Sequence, residues 1–266
     1  MNGLAYPNIS PVMFSIGAFD LRWYSLAYLF GIALAWFFMY RDIQKYALPI
    51  TKKNLDDTMF NITLGIILGG RLFYVLFYNF NMFLDHPLEI FALWHGGMSF
   101  HGGLLGVIFA LYYSARKIKY PFFGLTDLAA LYTPLGLFLG RIANFINDEL
   151  WGRPTDVPWA VRFPSGGYLP RHPSQLYEAA LEGLLLFILL QILWRCSRVR
   201  AKKGFISGVF LGCYGLFRMI AECFRQPDAQ LGFIYQNITM GQILSLPIFL
   251  FGVGLVLFSL QKTKNQ

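Results

Sequence analysis

Three groups of polar residues interrupt an otherwise apolar chain, and each carries side chains suited to holding an anion or moving a proton. The first is the run Gly140-Arg141-Ile142-Ala143-Asn144-Phe145-Ile146-Asn147-Asp148-Glu149-Leu150-Trp151-Gly152-Arg153-Pro154. It passes without a spacer from an apolar helix end into polar sequence, with Arg141 and Asn144 spaced i,i+3 on one helix face. The second is Tyr214, Arg218, Glu222 and Arg225, whose offsets of 0, 4, 8 and 11 lay them along one helical stripe. The third is His101, flanked by glycines at 96, 97, 102 and 103. Arginine presents a planar fork of donors that matches phosphate or carboxylate. Histidine takes or passes a proton near neutral pH.

Each group also has a plain structural reading. Arg141 can snorkel to a membrane surface while Asn144 caps a helix, although that leaves Asp148, Glu149 and Arg153 unexplained. Arg218 and Glu222 can be an ion pair that serves packing alone, yet ionisable groups at membrane depth are costly and usually mark a site. His101 can be a buried histidine hydrogen-bonded to a neighbouring helix, and glycine beside it admits a second backbone as readily as a ligand. Lesser polar positions are Arg71, Asp127, Gln175, Glu178, Glu182 and Gln242. Arg71 suits either a helix–helix hydrogen bond or a substrate contact, and Asp127 a role at a helix N-terminus.

Several chemistries lack their signatures. There is no GxSxG elbow, no HExxH and no phosphate-binding glycine loop, and the four histidines are too scattered for metal spacing. No metal and no cofactor is therefore expected. Cys196, Cys213 and Cys223 form neither a CxxC pair nor a disulfide framework, and Cys213 and Cys223 read as small buried apolar residues. What remains is a reaction whose substrate supplies its own nucleophile, run on an anionic partner that arginine can grip. A phospholipid fits, because it reaches such a site sideways through the membrane.

The elements that must carry these groups are membrane helices. Of 266 residues 56% are hydrophobic and only 14% charged, with a mean hydropathy of +0.49, a profile of a polytopic membrane protein. Apolar runs of about the 20 residues needed to cross a bilayer cover roughly Leu21–Tyr40, Asp56–Tyr78, Trp94–Ala115, Phe123–Ile146, Pro173–Trp194, Gly204–Phe224 and Asn237–Leu260. The net charge of +8 is not a nucleic-acid signal here. All nine lysines, together with Arg41, Arg116, Arg195, Arg198 and Arg200, fall in every second loop or in the C-terminal tail, and the intervening loops contain no lysine. By the positive-inside rule those clusters are cytoplasmic. The expected fold is all-α, with seven transmembrane helices, the N-terminus outside and the C-terminus cytoplasmic. Residues 1–18 read as an uncharged loop, without the basic n-region of a cleaved signal peptide. Residues 147–173, rich in proline and glycine, read as a small irregular or β cap on the outer face, with 158–163 as one strand of a hairpin. No linker divides the chain, so residues 1–266 are expected to form a single membrane-embedded domain. The eight arginines outside the lysine clusters, at 22, 71, 141, 153, 162, 171, 218 and 225, include the expected working residues.

These residues resemble one family, the prolipoprotein diacylglyceryl transferases of bacteria. The resemblance rests on Gly96-Gly97-Met98-Ser99-Phe100-His101-Gly102-Gly103, on Gly140 to Asn147 with Glu149 and Gly152, and on Arg171-His172-Pro173-Ser174-Gln175-Leu176-Tyr177-Glu178. Arg218, Glu222 and Arg225 follow, then Thr239-Met240-Gly241-Gln242, so the matches run in order through most of the chain. The resemblance implies transfer of the diacylglyceryl group of phosphatidylglycerol to the lipobox cysteine in the signal peptide of a prolipoprotein, with a thioether formed and glycerol phosphate released. It implies membrane lipids as surroundings and a multi-pass location in the bacterial cytoplasmic (inner) membrane, the active site facing the periplasm. It makes His101 the candidate base and Arg141 and Arg218 the essential cations. Asn144, Glu149, Gly152, Glu222 and Arg225 become supporting substrate-binding residues, and Tyr24 and Tyr214 match positions near the site. The rival readings are a non-catalytic lipid transporter or scramblase, which would need polar residues through to the cytoplasmic half, and another transferase that draws on phosphatidylglycerol.

Overall fold

The computed structural model describes residues 3–17, 19–78, 80–227, 232–235 and 238–262. Lys264 of the expected basic tail, Asn79 at a loop start and Asn237 at the expected start of the last span lie outside the described residues. In chain order the elements are β1 (Leu4–Ala5), β2 (Val12–Ile16), β3 (Phe19–Arg22), α1 (Trp23–Lys45), α2 (Lys52–Phe77), the short α3 (Phe80–Asp85), α4 (Phe100–Lys117) and α5 (Phe122–Ile146). There follow β4 (Val161–Arg162), α6 (Ser174–Glu178), a π-helical segment over Ala179–Leu185, α7 (Leu186–Arg195), α8 (Ser197–Ala201), α9 (Phe205–Glu222), β5 (Phe233–Tyr235), β6 (Ile238–Thr239) and α10 (Met240–Lys262).

Among the described residues six helices are long and apolar enough to cross a membrane: Trp23–Lys45, Lys52–Phe77, Phe122–Ile146, Ser174–Arg195, Phe205–Glu222 and Met240–Gln261. In lipid the backbone must satisfy its own hydrogen bonds, so apolar runs of this length become helices. The expected third span is the one that departs. Leu93–His95 is a 3₁₀ turn, and Gly96 and Gly97 take φ of 78° and 79°, so α4 starts only at Phe100, with Ser99 as its N-cap. That leaves 18 residues, about 27 Å at 1.5 Å per residue.

The chain divides into two compact units, one of Met1–Ala35 with Asp127–Gln266 and one of Trp36–Thr126. In the first, α9 and α10 pack backbone to backbone: a Cβ added at Gly252 would lie 2.2 Å from the Gly212 nitrogen. Gly183 likewise seats the π-helical segment on α5, where a Cβ would fall 2.6 Å from that of Phe138. Leu128, Leu131, Tyr132, Leu186, Leu190 and Ile206 are buried between these helices. Asp127 sets the start of α9, whose own cap residue, Gly204, has no side chain. Its carboxylate accepts from the Gly204 and Ser207 amides at 2.7 and 2.8 Å and from the Ser207 hydroxyl at 2.7 Å. The helix N-terminal role expected for Asp127 thus acts on a helix distant in sequence.

Two expectations for the irregular segments need correction. Residues 1–18 are not all loop, because β2 pairs antiparallel with β3, and β1 pairs parallel with β4. The strand at 161–162 therefore takes its partner from the N-terminus. The expected hairpin shrinks to one antiparallel pair, Val161 and Arg171, which exchange two backbone hydrogen bonds of 2.9 Å. Prolines at 158, 164, 170 and 173 lack the N–H that a longer ladder requires.

In the second unit Thr51 caps α2 by accepting from the Asn54 amide at 3.1 Å. Gly65 and Gly69 of α2 face Gly106 and Gly102 of α4; a Cβ at Gly106 would come within 1.9 Å of the Gly65 carbonyl oxygen. Two GxxxG spacings thus bring the helix backbones into contact.

Candidate active site

The first unit gathers three arginines and three glutamates that the chain spreads over 85 residues. Arg141 lies near the end of α5, Glu178 ends α6, Glu182 rides on the π-helical segment, Arg218 and Glu222 belong to the last turns of α9, and Arg225 follows that helix. Glu178 is the hub. Its Oε2 accepts from Arg141 Nε at 2.8 Å and from Arg218 Nη1 at 2.7 Å, while its Oε1 lies 3.7 Å from Arg225 Nη1. Arg218 Nη2 donates to Glu222 Oε1 at 2.5 Å. Glu182 stands farther back, 3.5 Å from Arg141 and 3.7 Å from Arg218. A π-helical turn inside an α-helix is a feature often found at functional sites, and here it carries Glu182 directly after Glu178.

The charges cancel, but their exposures differ. The glutamate side chains are 1, 0 and 5% exposed at 178, 182 and 222, whereas Arg141, Arg218 and Arg225 keep 18, 14 and 11%. The cluster hides its acids and presents its cations. Five donors on each guanidinium exceed what the carboxylates use at Arg141 and Arg218, so N–H groups of these two remain for an incoming anion. Two guanidinium groups meeting on one carboxylate oxygen cannot be explained by a single arginine snorkelling to the surface.

Around this cluster a polar shell fixes orientation. Arg141 Nη1 reaches Asn144 Oδ1 at 3.5 Å, and Asn144 Nδ2 donates to Glu149 at 2.7 Å. Gln175 donates to the Glu149 carbonyl at 2.6 Å. Tyr214 lies within the electrostatic field of Glu182, Arg218, Arg141 and Glu178. The Tyr24 hydroxyl accepts from Tyr28 at 3.3 Å, and Tyr28 is within electrostatic range of Arg141 and Glu149. A groove of about 240 Å³ between α1 and α5 is lined by apolar side chains, among them Trp23, Leu26, Phe30, Leu139, Ile142 and Ile146.

Gly152 and two further arginines tie the 147–173 segment to the end of α9. Gly152 is threaded between two backbones: a Cβ there would lie 2.6 Å from the carbonyl oxygens of both His172 and Phe224. Any side chain there would collide with both oxygens. Arg153 donates to the carbonyls of Arg225 and Glu222 at 3.0 and 3.1 Å, the latter closing the C-terminus of α9. Arg171 donates to Gly166 and Gly152 carbonyls and lies 4.0 Å over the Trp151 ring. His172 Nδ1 is 3.1 Å from the Tyr177 hydroxyl, which also accepts from Trp159 at 2.6 Å. Burial, and then the Arg153 charge, hold the His172 imidazole below its usual pKa.

His101 belongs to the second unit, at the first turn of α4. It is exposed, with its ring set edge-on to Phe100 at 5.7 Å, so it is not the buried helix-bound histidine of the plain reading. Its neighbour Gly102 serves backbone contact, since a Cβ there would come 2.2 Å from the Gly69 carbonyl oxygen. Arg71 bonds loop backbone. Buried at 6% exposure, it donates to the carbonyls of Ile90, Gly96, Gly97 and Ala92 at 2.5–3.2 Å and to that of Glu89, which ties down the loop ahead of α4.

Sequence reasoning ranked Glu178 and Glu182 too low. The signal was present, two acids four residues apart inside an apolar helix, but nothing local showed that they face Arg141 and Arg218.

The profile of one family, described as prolipoprotein diacylglyceryl transferase, matches residues 11–258. The chain is 55% identical over 253 residues to the phosphatidylglycerol–prolipoprotein diacylglyceryl transferase of Rhodospirillum rubrum, covering 94% of this chain and 92% of the relative. It is 53% identical over 251 residues to the protein of that name from Aeromonas salmonicida (94% and 90%) and 51% identical over 263 residues to that of Vibrio cholerae (99% and 96%). The chain belongs to the prolipoprotein diacylglyceryl transferase family.

Proposed function

We propose that this protein transfers the sn-1,2-diacylglyceryl group of phosphatidylglycerol to the lipobox cysteine of a prolipoprotein signal peptide, the first step of bacterial lipoprotein maturation. The observation that carries the reading is the cluster in which Arg141 and Arg218 share Glu178 Oε2 while the acids lie beneath them. The apolar groove between α1 and α5 suits the acyl chains of the same lipid.

The cysteine sulfur attacks the glyceryl carbon that bears the phosphate. A C–S thioether bond forms, the C–O bond to phosphate breaks, and glycerol phosphate leaves with the electron pair. A free thiol has a pKa of about 8.5, so its proton must be removed for the thiolate to attack. His101 is the candidate acceptor, directly or through Tyr24 or a water. Negative charge grows on the departing phosphate oxygen, and arginine donors aimed there stabilise the transition state more than the ground state. Asn144 and Glu149 orient Arg141, Glu222 and Arg225 support Arg218, Gly152 packs the cap, and Tyr24 and Tyr214 flank the substrate.

The same reading takes the whole chain as one catalytic domain with seven spans, α4 supplying the third. The N-terminus is outside, the C-terminus cytoplasmic, and 147–173 forms a cap on the periplasmic side of the inner membrane. The lysine-rich alternate loops support that orientation.

The test is a reconstituted reaction of purified protein, phosphatidylglycerol and a lipobox peptide, following glycerol phosphate release together with peptide mass. Cysteine-dependent release with one diacylglyceryl added per peptide is expected. Release without peptide modification would overturn the reading, as would lipid crossing the bilayer with no chemistry. In the same assay His101→Gln should lose most activity; full activity would remove His101 as the base.

A further inference from the structure

The segment Thr239-Met240-Gly241-Gln242 has no part in the mechanism above, yet the structure sets it against the cluster. α10 opens with a capping box: Thr239 N donates to Gln242 Oε1 at 3.1 Å, and Gln242 N donates back to Thr239 Oγ1 at 3.3 Å. With its hydroxyl oxygen held by that amide, Thr239 turns its proton to Glu222 Oε2 at 2.7 Å. The other carboxylate oxygen of Glu222 accepts from Arg218 at 2.5 Å. One oxygen is thus tied to the start of α10 and the other to the arginine.

Gly241 makes room for this arrangement. A Cβ at position 241 would lie 2.5 Å from both Cδ and Oε1 of Glu222 and 2.9 Å from Oε2, so any larger residue must displace the carboxylate. The seat is also electrostatically suited to it, as the first turn of a 23-residue helix favours a negative charge. Thr239 and Glu222 are 2 and 4% exposed, so water does not replace a lost bond.

We propose that Thr239 and Gly241 are positioning residues for Arg218, which they aim by fixing the Glu222 carboxylate at the start of α10. The inference rests on the transferase reading only in taking Arg218 as a phosphate-holding cation.

The experiment compares Thr239→Val, Thr239→Ser and Gly241→Ala with the wild type in two assays. One is peptide transfer, giving kcat and KM for phosphatidylglycerol; the other is binding of phosphatidylglycerol followed by native mass spectrometry, which needs no acceptor. Thr239→Val removes a hydrogen bond to a charged group, and kcat/KM should fall about ten- to hundred-fold with phosphatidylglycerol binding weakened in step. Thr239→Ser keeps the donor and should recover most of the loss. Gly241→Ala keeps the hydroxyl but crowds the carboxylate, and should fall like Thr239→Val. A purely structural role would lower the thermal midpoint and leave the kinetics of the folded fraction untouched. The inference is overturned by a folded Thr239→Val that matches wild type, or by Thr239→Ser as damaged as Thr239→Val. If Thr239→Val does not fold, full activity in Gly241→Ala overturns it. Wild type that binds phosphatidylglycerol without transferring it would sink the transferase reading and leave the binding differences to decide this one; wild type that does neither would sink both.

Discussion

Replacing Arg218 by lysine separates the role of geometry from that of charge. Each terminal nitrogen of Arg218 carries two hydrogens. Nη1 spends one on Glu178 at 2.7 Å and Nη2 spends one on Glu222 at 2.5 Å; Glu182, at 3.7 Å, is beyond hydrogen-bonding reach. One hydrogen on each nitrogen remains, and in the proposed reaction this pair is the fork that takes the phosphate. Lysine keeps the charge but has three hydrogens on a single nitrogen, so satisfying both carboxylates leaves it one. Arg218→Lys therefore loses one charge-assisted bond to the departing phosphate, about 1.5–3 kcal/mol, or about ten- to hundred-fold in rate at 1.4 kcal/mol per decade. The measurement is the initial rate of peptide modification at saturating peptide, with phosphatidylglycerol varied, on protein whose thermal midpoint and elution match wild type. Most of the loss should lie in kcat, because the bond strengthens as charge develops on the phosphate. Activity within about three-fold of wild type would refute the reasoning and reduce Arg218 to a source of positive field.

Gly152→Ala forces a methyl group to within 2.6 Å of two backbone oxygens; it should cost about 1–3 kcal/mol, seen as a lower thermal midpoint, and loosen the Glu149 side of the site enough to lower activity. Asp127→Asn turns an amide donor toward the Gly204 or Ser207 donors that the carboxylate now satisfies, at about 1–3 kcal/mol. Ser207 and Glu222 lie at opposite ends of α9, so this change should lower the thermal midpoint while kcat and KM of the folded protein hold.

The sequence carried the helices and the polar stripe. Apolar runs of membrane-spanning length have no alternative to helix in lipid, and within a helix the 3.6-residue period decides which side chains share a face. Tyr214, Arg218 and Glu222 were therefore legible as one stripe, and Arg141 with Asn144 as one face. The start of α4 was not, because two glycines at positive φ stop the helix just where hydropathy alone carries it on.

Only the tertiary structure decided what those faces meet. Glu178 stands 37 residues after Arg141 and 40 before Arg218, and it joins them because Gly183 lets its helix close on α5. Asp127 caps a helix that begins 78 residues later, at Phe205, and Leu4 finds its strand partner at Val161. Arg141, Arg71 and Arg153 look alike as arginines in apolar or cap sequence, yet one joins a carboxylate cluster and the other two are largely taken up by backbone carbonyls. Local spacing reports the period of one element. The partner of a charge is set by how separate elements pack, and in a chain of helices that depends on small residues whose importance shows only once two backbones touch.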